Sequence, residues 1–176
     1  MKDFLTDVET LRAKARENMD MGPVTDAYGA DVKRVIHVLI QALATELVCV
    51  LRYKRPFFTA QVLNAQSAAA EFLEHAGEEE GHADRIAARI TQLGGQPDFS
   101  PDSLSTRSHS EYDSSMELQE MIKEDLVAER IAIASYSEII AWLDDGDPTT
   151  RRMLEEILAV EEEHADDMLD LLSKAT

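Results

Sequence analysis

The sequence contains a single cysteine, Cys49, among 176 residues, which excludes a framework of internal disulfides. Such scarcity is typical of proteins from a reducing compartment. The first residues, MKDFLTDVET, lack the apolar stretch and the small-residue cleavage site of a signal peptide. We therefore expect a cytoplasmic protein, with one domain whose core needs no disulfide at this length.

Basic residues are also few, because 17 lysines and arginines accompany 35 aspartates and glutamates, for a net charge of -18. This charge repels phosphate backbones, so direct DNA binding is not favoured without a local basic patch. The only candidate patch, Arg12, Lys14 and Arg16, is small. An acidic surface does suit a protein that gathers cations, although solubility alone also explains it.

A long uninterrupted apolar run is absent. The most apolar segment, residues 35–51, contains His37, Gln41, Thr45 and Glu46, which are costly in lipid. We therefore predict a buried helix of a soluble protein and no membrane span. Strand-like alternation is absent as well, so the fold class is all-α.

Glycine and proline cluster at a few breaks, between which the apolar residues follow helical periodicity. The pattern predicts an N-terminal arm over residues 1–30 and a four-helix bundle over residues 31–176. A long crossover, at about residues 94–113, joins the second helix to the third and has room for one short helical turn. The arm itself has a possible helix at residues 4–18, which could pack on a neighbouring subunit. The bundle helices are expected at about residues 31–58, 67–93, 114–144 and from 148 onward.

One pattern of residues occurs twice in the bundle. In each copy a glutamate is followed seven positions later by a tyrosine, and then by a Glu-x-x-His motif. The members are Glu46, Tyr53, Glu79 and His82 in the first copy, and Glu129, Tyr136, Glu161 and His164 in the second. The two glutamates of a copy are 33 residues apart in the first and 32 in the second. Two helical hairpins related by an approximate two-fold axis would bring both copies together.

The four glutamates and two histidines of the pattern all fall on apolar helix faces, where an unpaired carboxylate is costly. Residues three apart share a helix face, so each Glu-x-x-His presents an oxygen and a nitrogen to one point. Two divalent ions would balance four carboxylates, and this ligand mixture favours iron or manganese, with zinc able to compete. The neighbouring acidic residues instead fit a solvated face. They are Glu78, Glu80, Glu162 and Glu163.

Other residues are candidates for supporting such a centre. Asp125, one turn before Glu129, is the candidate for orienting a histidine, and the first copy has Ala42 at that place. Tyr53 and Tyr136 could hydrogen-bond a ligand, donate an electron or simply pack in the core. Cys49 lies three residues after Glu46, although small buried cysteines usually just pack.

Three histidines have no matching partner in the repeat, namely His37, His75 and His109. His75, together with Glu71 and Glu78, could line a path for ions. Ordinary packing or surface exposure is the simpler interpretation.

The sequence over residues 31–173 resembles bacterioferritin, of the ferritin-like superfamily, whose di-metal bundles are described with this same ligand set. The segments that carry the resemblance are E-x-x-H-A-D-R at 79–85, D-L-x-x-E at 125–129 and E-E-E-H at 161–164. The resemblance implies a ferroxidase centre with two iron ions per subunit. It assigns Glu46 and Glu129 as terminal ligands, Glu79 and Glu161 as bridges, His82 and His164 as one ligand per iron, and Tyr53 as a neighbour of the site.

The sequence departs from bacterioferritin at three places. Glu80 stands where that family has its haem-binding methionine, so haem is not expected. Val160 replaces the usual aspartate, which leaves the orientation of one histidine unexplained. Only 12 residues follow His164, too few for the fifth helix of 24-subunit cages. The chain therefore resembles Dps-like ferritins, and a homo-oligomeric shell of 12 subunits is favoured over 24.

These features predict an iron-storage and detoxification protein that oxidises Fe(II) with hydrogen peroxide or dioxygen. A di-manganese catalase or a di-iron oxygenase could use much the same ligands. A shell protein that acts mainly by binding a partner is a third possibility, which the acidic charge does not favour.

Overall fold

The computed structural model describes residues 7–174, which form six α-helices and no strands. The all-α prediction is therefore confirmed. The helices are α1 (Val8–Lys14), α2 (Val32–Val62), α3 (Gln66–Gln92), α4 (Leu104–Arg107), α5 (Leu118–Leu143) and α6 (Pro148–Lys174). Short 3-10 helices lie at Met19–Met21 and Pro101–Ser103.

The bundle consists of two helical hairpins, α2 with α3 and α5 with α6, which pack against each other. Asp31 begins the first hairpin, because its carboxylate accepts hydrogen bonds from the first-turn N–H groups of α2. Asn64 turns the chain between α2 and α3 with a left-handed φ of 57°. Asp147 caps α6 in the same way as Asp31 caps α2, and Pro148 occupies the first turn, where its missing N–H costs nothing.

Residues 93–117 form the predicted crossover between the hairpins and contain α4. Two arginines of α2 hold it in place. Arg52 donates to the carbonyl oxygen of Glu111, and Arg55 donates to those of Ser114 and Ser115. The third bundle helix therefore begins at Leu118, four residues later than predicted, because these serine carbonyls are already bound in an extended segment.

The first bundle helix is longer than predicted, since it continues beyond Phe58 to Val62. Pro56 lies inside it without ending it, and both Pro56 and Ala60 are buried. By length and composition alone α2 could cross a membrane, but half of its most apolar stretch is buried inside the bundle. Burial of Glu46 within that stretch is what a core helix around a polar site requires.

Two apolar clusters occupy the interior, one on each side of the middle of the bundle. The first lies toward the start of α2 and includes Leu39, Leu43, Ile86, Ile90, Leu154 and Ile157. The second lies toward the end of α2 and includes Tyr53, Ala60, Phe72, Ile122 and Met168. The repeated glutamates and histidines lie between these clusters along every helix, so apolar layers separate them from both ends of the bundle.

The segment that precedes the bundle lies on its surface. Helix α1 is shorter than the predicted helix at residues 4–18 and has no buried residue, and positions 4–6 lie outside the described residues. Val24 and Tyr28 do pack against the first apolar cluster. The backbone of Gly29 donates to Gly146 at 3.0 Å, a contact so close that a side chain at Gly29 would crowd the α5–α6 turn.

Candidate metal centre

The structure brings all six repeated glutamates and histidines together in the middle of the bundle. One comes from α2, two from α3, one from α5 and two from α6, and every one is buried. They are Glu46, Glu79, His82, Glu129, Glu161 and His164. Within them, ligand atoms form two groups in which all atoms lie within 4.8 Å of one another.

The first group surrounds the Nδ1 atom of His82. Carboxylate oxygens of Glu161, Glu46 and Glu79 lie 3.0, 3.3 and 4.0 Å from this nitrogen. The Glu79 and His82 side chains come from successive turns of α3, as their spacing predicts. Four side chains from three helices could therefore hold one metal ion here.

The second group surrounds the Nδ1 atom of His164. Oxygens of Glu79, Glu161 and Glu129 lie 3.3, 3.6 and 3.8 Å from it. Glu79 and Glu161 belong to both groups, whereas Glu129 belongs to this group alone. The geometry thus offers two adjacent ion positions that share two carboxylates.

Most ligand atoms of these groups have no hydrogen-bond partner among residues 7–174. Eight atoms of the six side chains are both buried and unpaired. They are Glu46 Oε2, Glu79 Oε1 and Oε2, His82 Nδ1, Glu129 Oε2, Glu161 Oε1 and Oε2, and His164 Nδ1. A buried polar atom without a partner costs about 1 to 3 kcal/mol. Because all eight face the same two positions, the residues fit a pair of divalent cations.

The two tyrosines of the repeat connect its copies crosswise. Tyr53 of the first copy donates a hydrogen bond to Glu129 of the second, and Tyr136 donates to Glu46. Each bond engages the Oε1 atom, while the Oε2 atom of the same glutamate stays unpaired. The tyrosines therefore orient the two unshared carboxylates, and the approximate two-fold relation extends to these contacts.

In the metal-free centre, bound protons reduce the repulsion among the buried carboxylates. Burial, reinforced by neighbouring carboxylates, raises the pKa of Glu79 well above its usual range, and burial likewise raises the pKa of Glu129 to about 8. Although burial opposes the change, nearby glutamates raise the pKa of His82 to about 9 and that of His164 to about 11. Despite its burial, Glu161 has a pKa lowered to about 2 by these two histidines. Cations that bind here would displace protons.

Glu78 has a role that the sequence did not reveal. It is partly exposed, as a residue of a solvated face should be, yet its Oε2 atom lies 2.8 Å from Nε2 of His164. A carboxylate can only accept, so the imidazole donates from Nε2 and leaves Nδ1 for the ligand position. Glu78 thus orients His164.

Asp125 does not take the orienting role that the sequence suggested. Its Oδ1 atom lies 3.4 Å from Nε of Arg52, and both side chains are buried. Because Arg52 also holds the crossover at Glu111, Asp125 belongs to the network that fixes α2 to this segment. Cys49 is buried near the centre, and burial together with the carboxylates raises the pKa of its thiol, which therefore stays protonated.

A model of the ferritin-like domain family matches residues 36–176 of the chain. Among curated proteins, the bacterioferritin of Desulfovibrio desulfuricans is 27% identical over 132 residues, which are 74% of this chain and 70% of that protein. The match to the family model therefore includes all six residues of the candidate centre.

Three solved structures share the fold. A dodecameric thioferritin, the bacterioferritin-related protein of Bacteroides fragilis, is 33% identical with a TM-score of 0.79, covering 84% of this chain and 89% of that one. Rhodobacter capsulatus bacterioferritin, with a metal-free dinuclear site and haem iron, is 28% identical with a TM-score of 0.71, covering 82% and 86%. Dps from Thermosynechococcus elongatus, at 20% identity and a TM-score of 0.75 over 80% and 90%, shows likeness of fold alone.

Proposed function

Because the chain belongs to the ferritin-like domain family, we propose that it stores and detoxifies iron and that its six buried ligands form a ferroxidase centre within each subunit. Membership in the family supports iron storage and ferroxidase activity in general. The observation that supports the specific site is the set of eight buried, unpaired ligand atoms that face two adjacent positions. An unpaired set of this kind is costly unless cations bind there.

The ligand assignment follows from the two groups. Glu46 and His82 hold one Fe(II), and Glu129 and His164 hold the other. Glu79 and Glu161 bridge the two ions, since they alone belong to both groups. Such bridges keep the ions roughly 3.5 to 4 Å apart, close enough for one oxidant molecule to meet both.

In the reaction, each Fe(II) gives up one electron. Hydrogen peroxide takes the two electrons and two protons and leaves as two water molecules, whereas dioxygen takes them and leaves as hydrogen peroxide. Tyr53 and Tyr136 hold the terminal carboxylates in place, and Glu78 holds His164. The Fe(III) product then passes to the interior of a shell for storage.

We favour a cytoplasmic, haem-free shell of 12 subunits. The related Bacteroides fragilis protein is dodecameric, and it has greater identity and a higher TM-score than the Rhodobacter capsulatus bacterioferritin. Haem is not expected because Glu80 occupies the position of the haem-binding methionine. The exposed arm that contains α1 is available to pack on a neighbouring subunit.

Substitution of the terminal ligands tests the assignment. Glu46→Ala and His82→Ala should each slow Fe(II) oxidation about 100-fold or more, since each removes a ligand of one ion. Stopped-flow absorbance of Fe(III) formation measures the rate, with dioxygen and hydrogen peroxide added separately. Glu162→Ala and His37→Ala, which change exposed residues of the same types, are the matched controls.

Native mass and far-UV circular dichroism of the same samples show whether the shell and the fold remain intact. Oxidation rates unchanged in Glu46→Ala and His82→Ala would refute the site. Repeated peroxide consumption without retention of iron would instead favour the catalase alternative.

A further inference from the structure

A second group of potential metal ligands lies just outside the centre, between α3 and α6. It consists of Glu71, His75 and Asp167, whose ligand atoms lie within 4.8 Å of one another. The Nε2 atom of His75 is 3.5 Å from an oxygen of Glu71 and 3.4 Å from an oxygen of Asp167. None of these residues belongs to the six-ligand centre.

His75 is the unusual member of this group, because its side chain is only 2% exposed. Neither ring nitrogen has a hydrogen-bond partner in the described structure. Burying an imidazole without a hydrogen-bond partner costs its hydration free energy, and no new bond compensates for that loss. Packing in the apolar core does not fully explain this histidine, because its Nε2 atom faces the carboxylates of Glu71 and Asp167.

The distances suit a shared cation better than hydrogen bonds. An N–H···O bond usually spans about 2.7 to 3.2 Å. Two ligand atoms that each lie about 2.1 Å from one ion, at a tetrahedral angle, are about 3.4 Å apart. The separations of His75 from Glu71 and Asp167 match the second case.

The group also connects solvent with the centre. The side chains of Glu71 and Asp167 are 32% and 49% exposed, so an ion can reach them from water. On its other side the ring of His75 stacks on the ring of His164, with centroids 3.9 Å apart and 20° between planes. Glu78 accepts the Nε2 proton of His164, so the Nε2 atom of His164 is not free to hold an ion beside His75.

We propose that Glu71, His75 and Asp167 form a third, mononuclear divalent-cation site, from which ions load the dinuclear centre. Two carboxylates and one imidazole suit Fe(II), Mn(II), Co(II) or Zn(II). The loading role rests on the proposed ferroxidase function, whereas the binding of a cation by these three residues does not.

Anaerobic titration of the metal-free assembly with Co(II), followed by calorimetry and by visible absorbance, tests the site. The wild-type protein should bind three ions per chain, and the double variant Glu71→Gln/Asp167→Asn should bind two. The matched control is Glu74→Gln/Asp166→Asn, which removes the same charges from exposed neighbours on the same helices and should still bind three. Equal stoichiometry in the two double variants would overturn the proposal.

A second measurement separates this site from the dinuclear centre. Glu46→Ala/His82→Ala should lose ions of the centre but keep the ion at His75, which X-ray anomalous scattering at the cobalt edge would locate. If that variant lost no cobalt, the dinuclear assignment would fail while the third site stood. In stopped-flow mixing, the double variant Glu71→Gln/Asp167→Asn should fill the dinuclear centre about tenfold more slowly, because the two carboxylates raise the local cation concentration. An unchanged filling rate would refute the loading role alone.

Discussion

Two of the places where the bundle buries charged side chains are the six-residue candidate centre in its middle and a network near the α5–α6 turn. In the network, Arg89 donates to both oxygens of Asp147, at 2.9 and 3.1 Å, and to the hydroxyl of Thr150 at 2.8 Å. Asp147 also accepts from Tyr28 and from the backbone N–H of Thr150. Arg89, Asp147 and Thr150 are each buried, as the ligands of the centre are.

The two clusters differ in where their compensating charge comes from. Asp147 has its cation and its hydrogen-bond donors within the chain, and although burial opposes the change, the donors Thr150, Tyr28 and Arg89 lower its pKa. Neither oxygen of Glu79 accepts a hydrogen bond from the described residues, and burial together with three neighbouring glutamates raises its pKa. The network therefore stabilises the fold by itself, whereas the centre needs protons or metal ions from outside.

The largest effect on stability should come from breaking the network of Arg89, Asp147 and Thr150. Arg89→Ala leaves the Asp147 carboxylate buried without its cation, which should lower the free energy of unfolding by about 3 to 5 kcal/mol. The thermal midpoint should fall by roughly 10 °C, equally with and without metal. Arg85→Ala, which removes an exposed ion pair to Glu156, should cost less than about 1 kcal/mol. A metal-dependent effect of Arg89→Ala would contradict the distinction between the clusters.

A pH change should affect the centre and leave the network alone. His82 has a folded pKa of about 9, above the ordinary value of 6.5, so its contribution to stability is complete below pH 6.5 and is lost as pH rises through 9. Glu129, with its pKa raised from 4.5 to about 8, also favours its protonated form, so stability falls further as pH rises toward 8. Asp147 has a lowered pKa and loses its contribution only in acid.

The metal-free protein should therefore become less stable between pH 6.5 and pH 9, on the order of 2 kcal/mol. Thermal unfolding in EDTA across this range measures the effect. With saturating Co(II) the decrease should disappear, because the ions replace the protons. A metal-free midpoint that stayed constant or rose with pH would show that the centre is not held together by protons.

A smaller effect should follow from loss of the Glu78 contact. Glu78→Ala frees the His164 ring. This should weaken binding of the ion held by Glu129 and His164 about 10-fold to 100-fold, and leave the ion held by Glu46 and His82 nearly unaffected. Anaerobic Co(II) calorimetry measures both affinities. Glu80→Ala, a change two positions away at an exposed site, is the control. Equal weakening of both ions would mean that Glu78 acts through general charge and does not orient His164.

The smallest effects are expected at the tyrosines. Tyr53→Phe and Tyr136→Phe each remove one hydrogen bond to a terminal glutamate, worth about 1 kcal/mol, so Co(II) affinity should fall roughly fivefold in either variant. Similar losses would support the crosswise symmetry of Tyr53 with Glu129 and of Tyr136 with Glu46. A loss confined to one variant would show that the two halves of the centre are not equivalent.

Much of the fold and of the centre could be predicted from periodicity. The positions of Glu79 and His82 follow from the three-residue spacing on a buried helix face, and the structure places both in one group. The helix limits were less predictable. The start of α5 depends on Arg55, 60 residues before Ser115, and no local pattern shows that contact.

The residues around the ligands show the same limit. Asp125 and Glu78 each lie on the same helix as a candidate ligand, and local position made Asp125 the better candidate for orienting a histidine. Arg52 from another helix pairs with Asp125, while Glu78 reaches across to His164 on α6. Which of them orients a histidine depends on the facing helix.

The sequence by itself determined the helical hairpins, the inward face of each helix and the six residues that meet in the candidate centre. These properties depend on spacing along one helix, which the 3.6-residue period sets. Only the tertiary structure decided that the tyrosines bond crosswise, that Glu78 holds His164 and that His75 is buried against it facing two carboxylates. These contacts join side chains from different helices, so they depend on the relative rotation and height of those helices, which no single segment encodes.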